Sequence, residues 1–166
     1  NVLVEGTQGT FLSLWHGTYP FVTSKDVTAS GICADVGLGP KKVDEVIVVF
    51  KSYVTRVGTG PLAKELTLAE AESKGWSEFG TVTGRQRRAA DFDFDLAMRA
   101  IMLNSATQIS ITKLDVIFPD CAGKTSFEEL SKDAQSFINN IEEKLNTPVT
   151  IIGTGPDINE IIDRRK

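Results

Sequence analysis

Apolar and polar positions recur along this chain with the periods of strands and of helices in turn. The opening run Asn1-Val2-Leu3-Val4 reads as a strand, and it ends in glycine-punctuated backbone, Glu5-Gly6-Thr7-Gln8-Gly9-Thr10. Residues 23–40 are rich in Gly, Ser and Ala, which fits a loop carrying a short, closely packed helix. The density of β-branched residues over 43–57 predicts one extended, mostly buried strand, stopped by Gly58-Thr59-Gly60-Pro61. Thr67-Leu68-Ala69-Glu70 has the spacing of a capping box and opens a short helix that Gly75 can close. Acids at Asp91, Asp93 and Asp95 precede apolar residues at Leu96, Ala100 and Leu103, predicting a further helix. Residues 108–111 alternate as a strand and run into Thr112-Lys113-Leu114-Asp115. Ser126-Phe127-Glu128-Glu129 is a second capping box. Phe127, Leu130, Ala134, Phe137, Ile138, Ile141 and Leu145 then make one core-facing helical stripe. A last strand over 148–152 meets Gly153-Thr154-Gly155-Pro156. Strands alternating with helices predict an α/β sheet with helices packed on it. Neither a repeat nor a linker divides residues 1–166, which are expected to form a single α/β region.

Composition narrows the partners. A net charge of -4 argues against a surface that binds nucleic acid throughout, so any phosphate site must be local. No run of 18 apolar residues is present to span a membrane, and no basic, apolar leader opens the chain. A cytoplasmic protein is therefore expected, with no membrane partner. Cys33 and Cys121 stand far apart with no CxxC, and read as reduced core thiols. Asn1 falls directly in a strand pattern, which suggests the later part of something longer.

Four glycine-containing or strand-end segments carry candidate chemistry. Gln8 offers one acceptor oxygen and two donor hydrogens to a planar heterocycle, or simply occupies a tight turn. In Lys113-Leu114-Asp115 a carboxylate could accept from both N1-H and the 2-amino group of guanine while the lysine stem covers a ring face. A site built on such bonds rejects the wrong partner by on the order of 10^4-fold. A surface salt-bridging pair is the plainer reading. Thr154-Gly155-Pro156 could supply backbone groups to the same base, or be only a turn. Arg85-Gln86-Arg87-Arg88, beside Thr81, Thr83 and two glycines, could clamp carboxylates and phosphates bidentately. A solvated loop is the alternative; a nucleic-acid patch would need interleaved aromatics that this region lacks. The only histidine, His16, lies beside Trp15 near Tyr19 and reads as structural.

In this order, EGTQGT, HGTYPFVTS, the SG...GLGP segment, TRVGTGP, EFGTVTGRQRR, LNS, TKLDV and the terminal TGPD resemble the later half of the adenylosuccinate synthetase family. The resemblance implies a P-loop NTPase-like α/β sheet with flanking helices, present in part. It also implies the family's reaction, in which IMP and L-aspartate are joined with GTP and Mg2+ through 6-phosphoryl-IMP. Gln8 is then implied to bind the purine and stabilise that intermediate, as the catalytic residue of this stretch. Thr23 would meet the nucleotide phosphate, and Val57, Gly58 and Arg85 the ribose side of IMP. The aspartate loop would comprise Thr81, Val82, Thr83, Gly84, Arg85, Gln86 and Arg87. Arg87, Lys113, Leu114, Asp115, Gly153, Thr154 and Gly155 would hold GTP. The metal ligands, the phosphate loop, the aspartate base and the catalytic histidine are implied to lie in the family's earlier half, with none of the metal ligands in this chain. A homodimer is the family's default. Departures occur at Trp15, where an acid is common, at Val82, where threonine is common, and at Gly153, where serine is common. A module that binds guanine nucleotide without catalysis is the alternative; it would be indifferent to IMP and aspartate.

Overall fold

The β-branched run at 43–57 breaks in two. In this computed structural model, which describes residues 1–81 and 84–165, strand β1 is Ile47–Lys51 and strand β2 is Val54–Val57. The two belong to different sheets. At the break the Ser52 amide donates to the Thr112 carbonyl at 2.9 Å, and the Ser52 hydroxyl donates to the Lys113 carbonyl at 2.7 Å. Tyr53 turns inward and stacks on Trp76, with ring centroids 4.7 Å apart. Burying that ring in its own cluster with Ala71 and Ala89 pulls the chain out of the first sheet.

The main sheet has the order β1-β4-β5-β6, with β4 at Gln108–Thr112, β5 at Val149–Gly153 and β6 at Ile161–Asp163. Strands β1, β4 and β5 are parallel and β6 is antiparallel. Parallel neighbours need long crossovers. Helix α3 (Phe94–Asn104) lies in the first crossover, and α4 (Leu114–Ile117) and α5 (Lys132–Leu145) in the second. Ile109 and Ile111 of β4 are fully buried, together with Leu114, Ile138, Ile141 and Ile152. The second sheet pairs β2 antiparallel with β3 (Arg87–Ala90). Short helices α1 (Ala29–Asp35) and α2 (Leu68–Ser73) complete the set.

The caps behave unequally. Thr67 and Glu70 form the expected box on α2, and Gly75 follows with φ +71. The box at Ser126 is also formed, but it caps only a 3-10 turn, Phe127–Glu129, because Leu130 is extended. Helix α5 starts after it, so the expected stripe is split while Phe127 still packs on the core. The expected strand at the chain start is absent: Val2 and Leu3 are 91% and 89% exposed. Among the described residues no strand pairs with that run, so its apolar pattern has no ladder to join. Cys121 is buried as expected, but Cys33 on α1 is only half-buried and is not a core thiol. No helix of the described residues is long and apolar enough to cross a membrane.

Candidate nucleotide and amino-acid site

At the carboxyl end of β4, Lys113 adopts φ +61, a left-handed conformation that costs a lysine energy. The Ser52 hydroxyl on its carbonyl helps hold it there. The reversal sends Leu114 into the core, so Leu114 can face a ligand only with its backbone. It also places Asp115 in the first turn of α4. Asp115 is half-buried, and its carboxylate takes no hydrogen bond among the described residues. Beside it, β5 ends at Gly153, where an added Cβ would meet Thr112 at 3.6 Å, an ordinary contact. Open α/β sheets bind ligands outside such strand ends.

Thr154 contributes less than expected. It is fully buried; its hydroxyl donates to the Lys124 carbonyl at 2.7 Å and its amide to the Glu160 carbonyl at 2.9 Å. Its carbonyl accepts from the Gly123 amide at 3.1 Å. Thr154 therefore shapes the turn between Gly153 and Gly155, both half-buried.

Phe79 bridges antiparallel to Gln86, just ahead of β3. The Gly80 amide donates to the Arg85 carbonyl at 2.8 Å, and the Arg87 amide to the Glu78 carbonyl at 2.8 Å. Gly84 turns with φ +62, Thr81 and Arg85 are exposed, and Gln86 is half-buried. Val82 and Thr83, both expected in the aspartate loop, lie outside the described residues. The three arginines divide. Arg88 turns away, donating to the Gly58 and Gly60 carbonyls at 3.0 and 2.9 Å and pairing with Glu65. It pins the 58–61 turn and does not join an anion clamp. Arg87 points the other way, and its buried Nε has no hydrogen-bond partner among the described residues.

Val57 ends β2 directly opposite Arg87 of β3. Gly58 follows with φ +72, which a side chain would strain. Arg56 donates from Nη2 to the Thr18 hydroxyl at 2.8 Å and to the Phe21 carbonyl at 2.9 Å, docking that segment on the end of β2. Thr23 donates to the Leu12 carbonyl from both its amide and its hydroxyl, at 2.8 and 2.7 Å. The hydroxyl proton is thus committed, and a phosphate would have to displace that bond. Gln8 is exposed with φ +64 just before the 3-10 turn Thr10–Leu12. That turn is anchored where Asn104 of α3 donates to the Thr10 hydroxyl at 3.0 Å.

Leu12, Arg56 and Arg88 therefore bring Gln8's turn, Thr23, Val57 and Gly58 into one group. Lys113 and Arg87 are brought together by residues the sequence reading passed over. Glu78 accepts from Lys51 Nζ at 2.7 Å and from the Tyr53 hydroxyl at 2.6 Å, and both Lys113 and Arg87 pair with it. Burial alone would raise the Glu78 carboxyl. Hydrogen bonds from Lys51 and Tyr53, with the Lys51 and Lys113 charges, hold it below the usual range. Burial pushes the Lys51 ammonium down against the pull of Glu78, and burial with Glu78 beside it pushes Tyr53 up. A lone lysine closing the apolar run Val48-Val49-Phe50 was the available signal. Among the described residues no three His, Cys, Asp or Glu side chains cluster to hold a metal ion.

The family model of adenylosuccinate synthetase matches residues 1–122. Adenylosuccinate synthetases of Methanocaldococcus jannaschii and Methanosphaera stadtmanae are 61% and 54% identical, each over 99% of this chain and 48% of the relative. The solved structure of fully ligated adenylosuccinate synthetase from Plasmodium falciparum matches with TM-score 0.88 at 29% identity, over 97% of this chain and 49% of that one. Cyanophage S-2L succinoaminodeoxyadenylate synthetase, bound to dGMP and dATP as an energy donor, matches with TM-score 0.71 at 24% identity, over 97% of this chain and 45% of that one. At that identity the likeness concerns the fold alone. The chain spans about half the length of the curated relatives it matches.

Proposed function

Because the chain belongs to the adenylosuccinate synthetase family, we propose that it serves the GTP-dependent ligation of IMP and L-aspartate to adenylosuccinate. Its 166 residues form one α/β region, the later part of the synthetase domain. They carry the guanine end, the aspartate loop and part of the IMP site. The γ-phosphoryl group of GTP first moves to the 6-oxygen of IMP, making it a leaving group; the aspartate amine then attacks C6 and phosphate departs. Both steps gather negative charge, which fixed amide and guanidinium donors stabilise.

In this reading Gln8 holds the purine and Val57 and Gly58 line the ribose, with Arg85 at its edge. Thr81 to Arg87, Val82 and Thr83 included, receive aspartate, with Arg85 and Arg87 on its carboxylates. Lys113, Leu114 and Asp115 take guanine against Gly153 and Gly155. Arg87 also faces GTP. Magnesium ligands and the phosphate loop belong to the half of the relatives that this stretch does not span. A cytoplasmic homodimer is the expected form.

What supports the reading above all is the pairing of Asp115, whose carboxylate takes no hydrogen bond among the described residues, with the glycine end of the adjoining strand β5. The test is adenylosuccinate formation by the protein in its full native length, with GTP, IMP and aspartate each omitted in turn. Turnover that requires all three and falls in a Gln8→Ala variant supports the ligase. Guanine-nucleotide binding with no response to IMP or aspartate replaces it with the non-catalytic module.

A further inference from the structure

Glu78 stands where two of the assigned segments meet, and nothing in the reaction outlined above uses it. Its carboxylate oxygens divide their partners. Oε1 accepts from the Tyr53 hydroxyl at 2.6 Å and faces Lys113 Nζ at 3.5 Å. Oε2 accepts from Lys51 Nζ at 2.7 Å and faces Arg87 Nη1 at 3.6 Å. These four partners come from β1, the turn after it, the lysine preceding α4, and β3. The Glu78 side chain is only 15% exposed, whereas the Lys113 and Arg87 side chains are 43% and 32% exposed, so the carboxylate is sheltered while these two cations still reach solvent.

The distances sort the partners into two kinds. Lys51 and Tyr53 make full hydrogen bonds and fix the carboxylate. Lys51 is itself steadied by the Thr55 hydroxyl at 2.7 Å, and Tyr53 by its stack on Trp76. Lys113 and Arg87 stand beyond hydrogen-bond length from Glu78, attracted and aimed, and their side chains make no hydrogen bond among the described residues. Arg87 even keeps a buried Nε without a partner among the described residues. Lys51, Arg87 and Lys113 surround Glu78, and with the Asp115 carboxylate also acting on Tyr53 the cluster keeps a positive excess, which favours an anionic ligand over a closed internal ion pair.

We propose that Glu78 is a positioning residue which, held by Lys51 and Tyr53, sets the Lys113 and Arg87 side chains in one register, so that a single carboxylate aligns the guanine end with the aspartate end of the site. The assignment rests on the ligase reading above. Glu78 itself meets no substrate.

The test is steady-state kinetics on the full-length protein, varying GTP, aspartate and IMP in turn, for wild type and Glu78→Gln. Glutamine keeps the shape and one acceptor but loses the charge. The expected result is a rise of about tenfold in KM for GTP and for aspartate. KM for IMP should stay within about twofold, since none of the four groups on the Glu78 carboxylate belongs to a residue assigned to IMP. Unchanged KM values overturn the proposal, and so does an equal rise for all three substrates, which a general loss of structure would give. If Glu78→Gln does not fold, Tyr53→Phe keeps the buried ring and removes only the 2.6 Å bond. It should raise KM for GTP and for aspartate by about threefold while leaving KM for IMP unmoved, and no such rise, or failure of both variants to fold, overturns the proposal. Wild type without turnover refutes the ligase reading and the role of Glu78 together; active wild type with unmoved KM values refutes the role of Glu78 alone.

Discussion

Val57 and Arg87 face each other as the end pair of the β2–β3 ladder. Residues opposite one another in an antiparallel pair share a face of the sheet, with Cβ atoms about 4.5–5.5 Å apart. The neighbouring pair, Arg56 and Arg88, must therefore share the other face. This alternation explains why adjacent arginines do different work. Arg87 turns toward Glu78, whereas Arg56 and Arg88 both hold carbonyls of the 59–61 turn or its flanks.

From that division, Arg88→Met should act on stability first. It strands the Gly58 and Gly60 carbonyls and leaves Glu65 unpaired. The expected cost is about 2 kcal/mol of unfolding free energy in a denaturant titration, from lost charge-assisted bonds. Substrate KM values measured on the folded fraction should move less than they do for Arg87→Met.

Arg87→Lys should act on binding instead. A lysine retains charge but not the fork that grips two oxygens, and it cannot supply the buried Nε donor. KM for aspartate is expected to rise by roughly 10- to 100-fold with the melting temperature nearly unchanged. Wild-type kinetics in the lysine variant would remove Arg87 from the site.

Much of this was legible beforehand, and the misses have causes. Segments whose role is local geometry read well: the capping box at Thr67, the helix after Asp93, the strand running into Lys113. Failures came where tertiary packing decided. Nothing local in residues 43–57 announces that Tyr53 prefers the Trp76 stack to a continuing strand. Arg88 reads like Arg87 until the strand pairing assigns them opposite faces. Thr154 reads as a ligand contact until Lys124, Gly123 and Glu160 take up its polar groups. Glu78 carries no motif spacing of its own, and only the meeting of distant lysine, tyrosine and arginine side chains marks it.

Gly153→Ser is expected to be nearly silent. The added Cβ meets Thr112 at ordinary contact distance and the backbone there needs no positive φ. Stability should change by less than about 0.5 kcal/mol, and GDP affinity should hold within about twofold.

Acid stability offers a separate check on Glu78. Its folded value lies below the ordinary 4.5, so the unfolded chain binds its proton more readily. Its contribution is therefore complete above that ordinary value and is lost as pH falls through the lower folded value. Unfolding free energy followed downward through this window should decline less steeply in Glu78→Gln than in wild type. Parallel curves would show that the carboxylate contributes nothing there.

The guanine end is tested by titrating GDP, and ADP beside it, into the full-length wild type and Asp115→Asn by calorimetry. GDP should bind wild type and ADP should not compete. The asparagine, which places a donor where the base also donates, should weaken GDP by on the order of 100-fold. Equal binding of GDP and ADP, or an Asp115→Asn variant that holds GDP as wild type does, would contradict a guanine site at the end of β4.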